Sequence, residues 1–130
     1  MKTVRDALNA KITGSALSAA IGGRYFPTVA PIGTAAPYVV ASIISELPTY
    51  KLSHMFVDVL IEFSACAAPG DITAANTISG LVRSLFDDCQ LSGLSGYMQV
   101  GLMEWYHGYE LNEETSYRYV NEYNLQLKKL

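Results

Sequence analysis

With 130 residues the chain has room for one domain, residues 1–130, because a second unit would be too small to bury a core of its own. Half of the residues are hydrophobic and only 16% are charged, against about 25% in an ordinary soluble domain, so the surface carries extra uncharged and apolar area, as in a protein that assembles. A formal charge of -3 leaves no basic face for holding nucleic acid through counterion release.

Cys66 and Cys89 stand far apart with no Cys or His at metal-ligand spacing. That pattern suggests neither a zinc site nor a disulfide framework, and two buried thiols in a reducing cytoplasm are expected. Asp6 falls where a signal peptide needs a basic and then an apolar stretch, so no secretion signal is expected. The longest uncharged run, Tyr25 to Ser45, is broken by Pro27, Pro31, Gly33 and Pro37, and no membrane-spanning segment is expected.

Along the chain, Thr3 and Asp6 read as a capping box, and Val4, Leu8 and Ile12 recur at helical spacing, so the first helix runs to an interruption near Gly14. Leu17, Ala20 and Ile21 continue it until Gly22-Gly23 supplies a C-terminal cap. Arg24-Tyr25-Phe26-Pro27 then leads into a Pro/Gly loop through Ala36. Tyr38 to Ile44 is rich in β-branched residues and predicts a strand buried on both faces, ended by Pro48. Phe56 to Ala65 alternates, sending Val57, Val59, Ile61 and Phe63 to one face and Asp58, Glu62 and Ser64 to the other.

Asp71 is a helix N-cap, and Ile78, Leu81, Val82, Leu85 and Phe86 mark the apolar stripe of a helix expected on the Val57–Phe63 face of the sheet. A third strand is predicted around Tyr97 to Tyr106, then an acidic hairpin turn, Glu110 to Glu114. A fourth carries Tyr117, Tyr119, Tyr123, Leu125 and Leu127 at alternate positions, with Asn121 interrupting the series. The sum is an α+β domain: an antiparallel or mixed sheet of about four strands with two main helices packed on one face.

Chemistry is hard to find. His54, in a hairpin loop, and His107, at a strand end, carry no catalytic signature. Asp87-Asp88 and Glu113-Glu114 read as solvated acids, and no calcium-loop pattern surrounds them. Gly22-Gly23-Arg24 lacks the strand before it, the helix after it and the Gly-Lys-Ser/Thr of a phosphate loop. Nine tyrosines and Trp105 without interleaved basic residues suit packing and subunit contact better than base stacking. No catalytic residue, metal ligand or cofactor-binding residue is assigned, and the expectation is a protein that is not an enzyme and needs no cofactor.

The order of these segments resembles one family. Gly22-Gly23-Arg24-Tyr25-Phe26-Pro27, then Gly33, then Pro37-Tyr38-Val39-Val40, with a second long strand, a striped helix and two closing strands after them, is similar to the tail-terminator (tail-completion) proteins of long-tailed bacteriophages. The resemblance covers essentially the whole chain. Two departures stand out: the hairpin Leu47 to His54 has no glycine, and the last strand carries Asn121 and Asn124.

The resemblance implies a structural virion protein, assembled in the host cytoplasm, that forms a ring at the head-proximal end of the tail and joins tail to head. Its implied partners are further copies of itself, the tail tube protein and a head-completion or connector protein, with no membrane and with DNA passing through the lumen unbound. A chain of this length makes a sphere of roughly 18 Å radius. Four such spheres enclose a hole of about 15 Å and six one of about 36 Å, so a hexamer is the ring that passes duplex DNA. Within that picture Tyr50 and His54 in the hairpin, and Glu110, Glu113 and Glu114 in the acidic turn, are the expected axial contacts, and Trp105 an anchor at a sheet edge. A head-side connector ring shares the same features. From other classes, a small enzyme or ligand-binding domain predicts a pocket with converging polar groups, and a regulatory module predicts a dimer paired through a sheet edge.

Overall fold

The computed structural model describes residues 1–130. Strands occupy 43% of the chain and helices 24%, in a single curled, mixed sheet of six strands, a half-barrel, with three short helices. The expected α+β domain of about four strands and two main helices is therefore corrected to a mostly β fold. The elements are α1 (Lys2–Ile12), α2 (Ala16–Ala20), β1 (Tyr25–Pro27), β2 (Tyr38–Lys51), β3 (His54–Ala67), α3 (Ile72–Phe86), β4 (Tyr97–Gln99), β5 (Glu104–Asn112) and β6 (Tyr117–Lys129).

The extra strands have identifiable causes. Tyr25–Pro27, expected only to lead into a loop, pairs in parallel with Val39–Ala41 and becomes β1. The expected third strand is two segments: Gly101, with φ +73°, lies in the break between β4 and β5, which pair with opposite ends of β6. Pro48 does not end β2, which runs on to Lys51 along the sheet edge. A proline is tolerated on an edge strand, where its missing N–H faces no neighbour. Nor is β2 buried on both faces: Val39 and Ala41 are buried, while Tyr38, Val40 and Ser42 are only half-buried on the other side.

The central pair is β3 with β6, flanked by β2 on one side and by β4 and β5 on the other. Val57, Val59, Ile61, Phe63 and Ala65 of β3, with Tyr123, Leu125 and Leu127 of β6, turn to one face and are buried there. The helices close that face. Val4, Leu8 and Ile12 come from α1, Leu17 from α2, and Ile78, Val82 and Phe86 from α3. Phe86 stacks on Phe63 at 4.4 Å between centroids, placing the α3 stripe where the alternation of β3 calls for it.

Helix ends obey local chemistry. Asp71 accepts from Ala74 N–H as the N-cap of α3. Gly22 and Gly23 both take positive φ, and Gly23 N–H reaches Ser18 C=O to close α2. The capping box at Thr3 is not formed: Met1 is the N-cap of α1 and no side chain caps it. Asp6 instead pairs with Lys2 at 2.6 Å, one helical turn away.

Candidate assembly surface

The opposite face of the sheet has no helix on it. Ser42, Asp58, Glu62, Glu122, Asn124 and Gln126 share this open face by register. Glu62 and Glu122 stand directly opposite each other on β3 and β6. Burial, and then the Glu122 charge, push the Glu62 carboxyl above the ordinary glutamate range. His107, inside β5 and not at its end as expected, reaches Glu122 at 3.5 Å. An open cleft of about 380 Å³ lies on this face between Leu47 of β2 and Trp105 and Tyr106 of β5, floored by Asp58, Leu60 and Asn124. No three His, Cys, Asp or Glu side chains gather into a metal-holding group.

The residues expected to make contacts fall into three separate places. Tyr50 and His54 flank the tip of the β2–β3 hairpin, which turns in two residues at Leu52-Ser53. His54 is thus the first residue of β3 and pairs with Lys51. Glu113 and Glu114 lie in the β5–β6 turn, at the other end of the sheet. Eleven residue steps of β6 separate the two ends, roughly 36 Å at strand rise. Glu110 belongs to β5, opposite Tyr119, so the acidic turn is shorter than expected. Glu113 is engaged within the chain, accepting from Arg118 at 2.6 Å.

Trp105 sits apart from both ends, on the outer strand, and is held from several sides. Its indole N–H donates to Asn121 Oδ1 at 3.1 Å. Asn121 is fully buried, and its amide donates in turn to Ser79 of α3 at 2.7 Å. Arg83, one turn beyond Ser79, lies 4.0 Å from the indole centroid. A forked bond to Asp87, one turn further on, fixes Arg83 at 2.8 and 3.0 Å. Asp87 also accepts from the Tyr123 hydroxyl, and burial together with this bond raises the Tyr123 pKa far above the phenol range. Beneath the ring is Gly108, where an added Cβ would lie 2.9 Å from Asn121 Oδ1 and 3.3 Å from Trp105 Cζ2.

Sequence reasoning found Trp105 but not its support. Ser79, Arg83 and Asp87 recur every four residues and so share one helical face, a spacing visible in the sequence. Asn121 looks like an interruption of the β6 series, yet it occupies a core-facing position in that series. Gly108 gives no signal, since its conformation is ordinary and only the neighbour across the strands requires it.

No protein-family model and no curated protein sequence matches this chain. Among solved structures, the chain is similar to a chain from the structure described as "Virion of native gene transfer agent (GTA) particle", with TM-score 0.80 and 16% identity, covering 98% of this chain and 99% of that one. At that identity the likeness shows a shared fold, spanning nearly the whole of both chains.

Proposed function

We propose that this protein is a non-catalytic structural component of a tailed, phage-like virion, where it forms a ring that caps the tail tube at its head-proximal end and joins it to the head. The observation that carries the reading is the full-length likeness to a chain of a virion particle. The residue order of the first helix, Gly22–Pro27 loop, Pro37–Val40 entry and closing strands, similar to the tail-terminator family, supports it independently.

The surface agrees in kind. Large apolar side chains are exposed on the hairpin arm and on the outer β4–β5 edge, including Leu47, Tyr50, Leu52, Met98 and Tyr106. Apolar side chains grouped along two sheet edges in this way suit a subunit that meets neighbours. The two ends of the sheet are chemically unlike, as axial contacts with two different ring proteins require. The open face carries Asp58, Glu62, Glu104 and Glu122, and a lumen lined by such a face would not retain the phosphates of passing DNA.

Negative-stain electron microscopy of lysates from a phage with a nonsense mutation in this gene tests the proposal. Tails of uncontrolled length beside unattached filled heads are expected. Tails of normal length beside heads that leak DNA would move the protein to the head side of the joint, and intact particles would overturn the virion role.

A further inference from the structure

Both edges of the sheet carry a β-bulge, and the two bulges flank the same row, one on each side of it. Ile43 of β2, Ile61 of β3, Tyr123 of β6 and Trp105 of β5 are register partners across the sheet. Next to this row the register shifts on both edges, at Ile44 of β2 on the hairpin side and at Tyr106 of β5 on the side of the acidic turn. A bulge re-aims the extra side chain, and here both extra residues are large, apolar and exposed, Ile44 by 50% and Tyr106 by 64%.

The matching continues toward the hairpin end. Leu47 lies in the row of Asp58 and Gln126, and the Gln126 carbonyl accepts from Val100 on the outer edge, two residues before exposed Leu102. Thr49, beside exposed Tyr50, lies in the row of Phe56, Lys128 and exposed Met98. Each edge therefore presents an apolar rim: Ile44, Leu47 and Tyr50 on β2, and Trp105, Tyr106, Leu102 and Met98 opposite. The rims span the same stretch of the strand axis, offset from one another by about one residue.

We infer that the occupant of each rim is a second copy of this chain: the β2 rim of one copy packs on the Trp105–Tyr106 rim of the next. A rotation about an axis parallel to the strands preserves height, so it brings the Ile43 row of one copy beside the Trp105 row of the next, with Ile44 and Tyr106 about 3 Å apart in height and within side-chain reach. Because the rims differ, the contact is head-to-tail and repeats around a ring. The rim residues are between 40% and 75% exposed, so bringing the two rims together supplies the apolar centre of a contact, and the polar surround extends it toward the about 1,200 Å² where specific interfaces begin. Trp105 suits an anchor because Gly108, Asn121 and Arg83 fix its ring before any partner arrives, so little side-chain freedom is lost on contact. The contact is made by side chains and not by a continuous ladder, since both edges are bulged and Pro48 lacks an N–H on the β2 edge. Closure into a ring rests on the proposed virion role.

Disulfide trapping in particles distinguishes the two ideas. Ile44 and Tyr106 of one chain are three strand spacings apart, about 14 Å, twice the reach of a disulfide. The native Cys66 and Cys89 are buried. Particles carrying Ile44→Cys with Tyr106→Cys, after mild oxidation, should give a reducible ladder of multimers, whereas either single variant stays monomeric. A double variant present in particles but wholly monomeric, or a dimer from Ile44→Cys alone, overturns the head-to-tail contact and leaves the virion role standing. Absence of the wild-type chain from particles overturns both. As a second probe, Ile44→Asp and Tyr106→Asp should each keep the circular-dichroism spectrum of the wild type yet fail to enter particles. Normal entry of both variants also overturns the contact.

Discussion

Gly108 illustrates how one missing atom can shape a surface. An alanine there would press on Asn121, Tyr119 and Trp105 at 2.9, 3.1 and 3.3 Å, and the indole is the most exposed of the three. Gly108→Ala is expected to cost about 1–3 kcal/mol through overpacking. It should also shift the emission of the chain's only tryptophan to the red, read by denaturant unfolding and fluorescence of one sample. Asn121 is the other end of that device. Leucine there would fit the alternating series of β6 but strand Ser79 and the indole N–H, so Asn121→Leu is expected to destabilise by about 1–3 kcal/mol in the same assay. A polar residue in an apolar series is legible in the sequence as an anomaly, while its partner on α3, 42 residues away, is fixed only by the fold. Glu62 poses a question of sign. Burial and Glu122 raise its pKa above the ordinary value near 4.3, so the fold favours the protonated form. That stability is fully present below about pH 4 and is lost as pH rises through the raised pKa. Glu62→Gln should therefore stabilise the protein at pH 7 by roughly a few tenths of a kcal/mol, solvent screening the pair, and flatten thermal stability across the mildly acidic range.

Among the elements, the β2–β3 hairpin turns without a glycine, and the cost falls on two side-chain-bearing residues. Leu52 and Ser53 both adopt positive φ, 46° and 69°, as a two-residue connection between twisted strands requires. Neither is a residue that takes this conformation readily, and each costs on the order of 1 kcal/mol there. Leu52→Asn with Ser53→Gly is thus expected to raise stability by about 1 kcal/mol, measured by thermal unfolding. The turn itself was legible as a hairpin, because the apolar alternation of β3 begins just after it. The extent of β2 was not. Pro48 is a strand breaker only where an N–H must reach a neighbour, and whether a strand lies at an edge depends on the complete sheet. The same reasoning covers β1, three residues whose parallel partner is set by packing, and β4 with β5, where local cues read as one strand and Gly101 divides it. By contrast β3 and α3 were legible almost residue for residue, since burial on one face leaves a period in the sequence that no distant partner alters.

Taken as a whole, the molecule is polar along its strand axis, and this bears on the candidate contact residues. The hairpin end carries Lys51 and His54 next to Lys128 and Lys129 of β6, while the far end carries Glu113 and Glu114. The sequence offered both ends as contact candidates, but it did not show that they lie at opposite poles, nor that Glu113 is tied to Arg118. The three acids are therefore not equivalent as probes. Glu113→Ser would free Arg118 and is expected to cost about 0.2–1 kcal/mol, which would confuse a loss of docking with a loss of fold. Glu110 and Glu114 make no ion pair. Replacing these two together by serine should change stability by no more than about 0.5 kcal/mol. If the acidic pole docks onto a neighbouring ring, the double variant should enter particles normally yet lower the fraction of heads joined to tails, with the deficit relative to wild type growing as salt is removed. Joining at wild-type efficiency across that salt series would mean that the acidic pole faces solvent and that axial docking must be sought at the hairpin end.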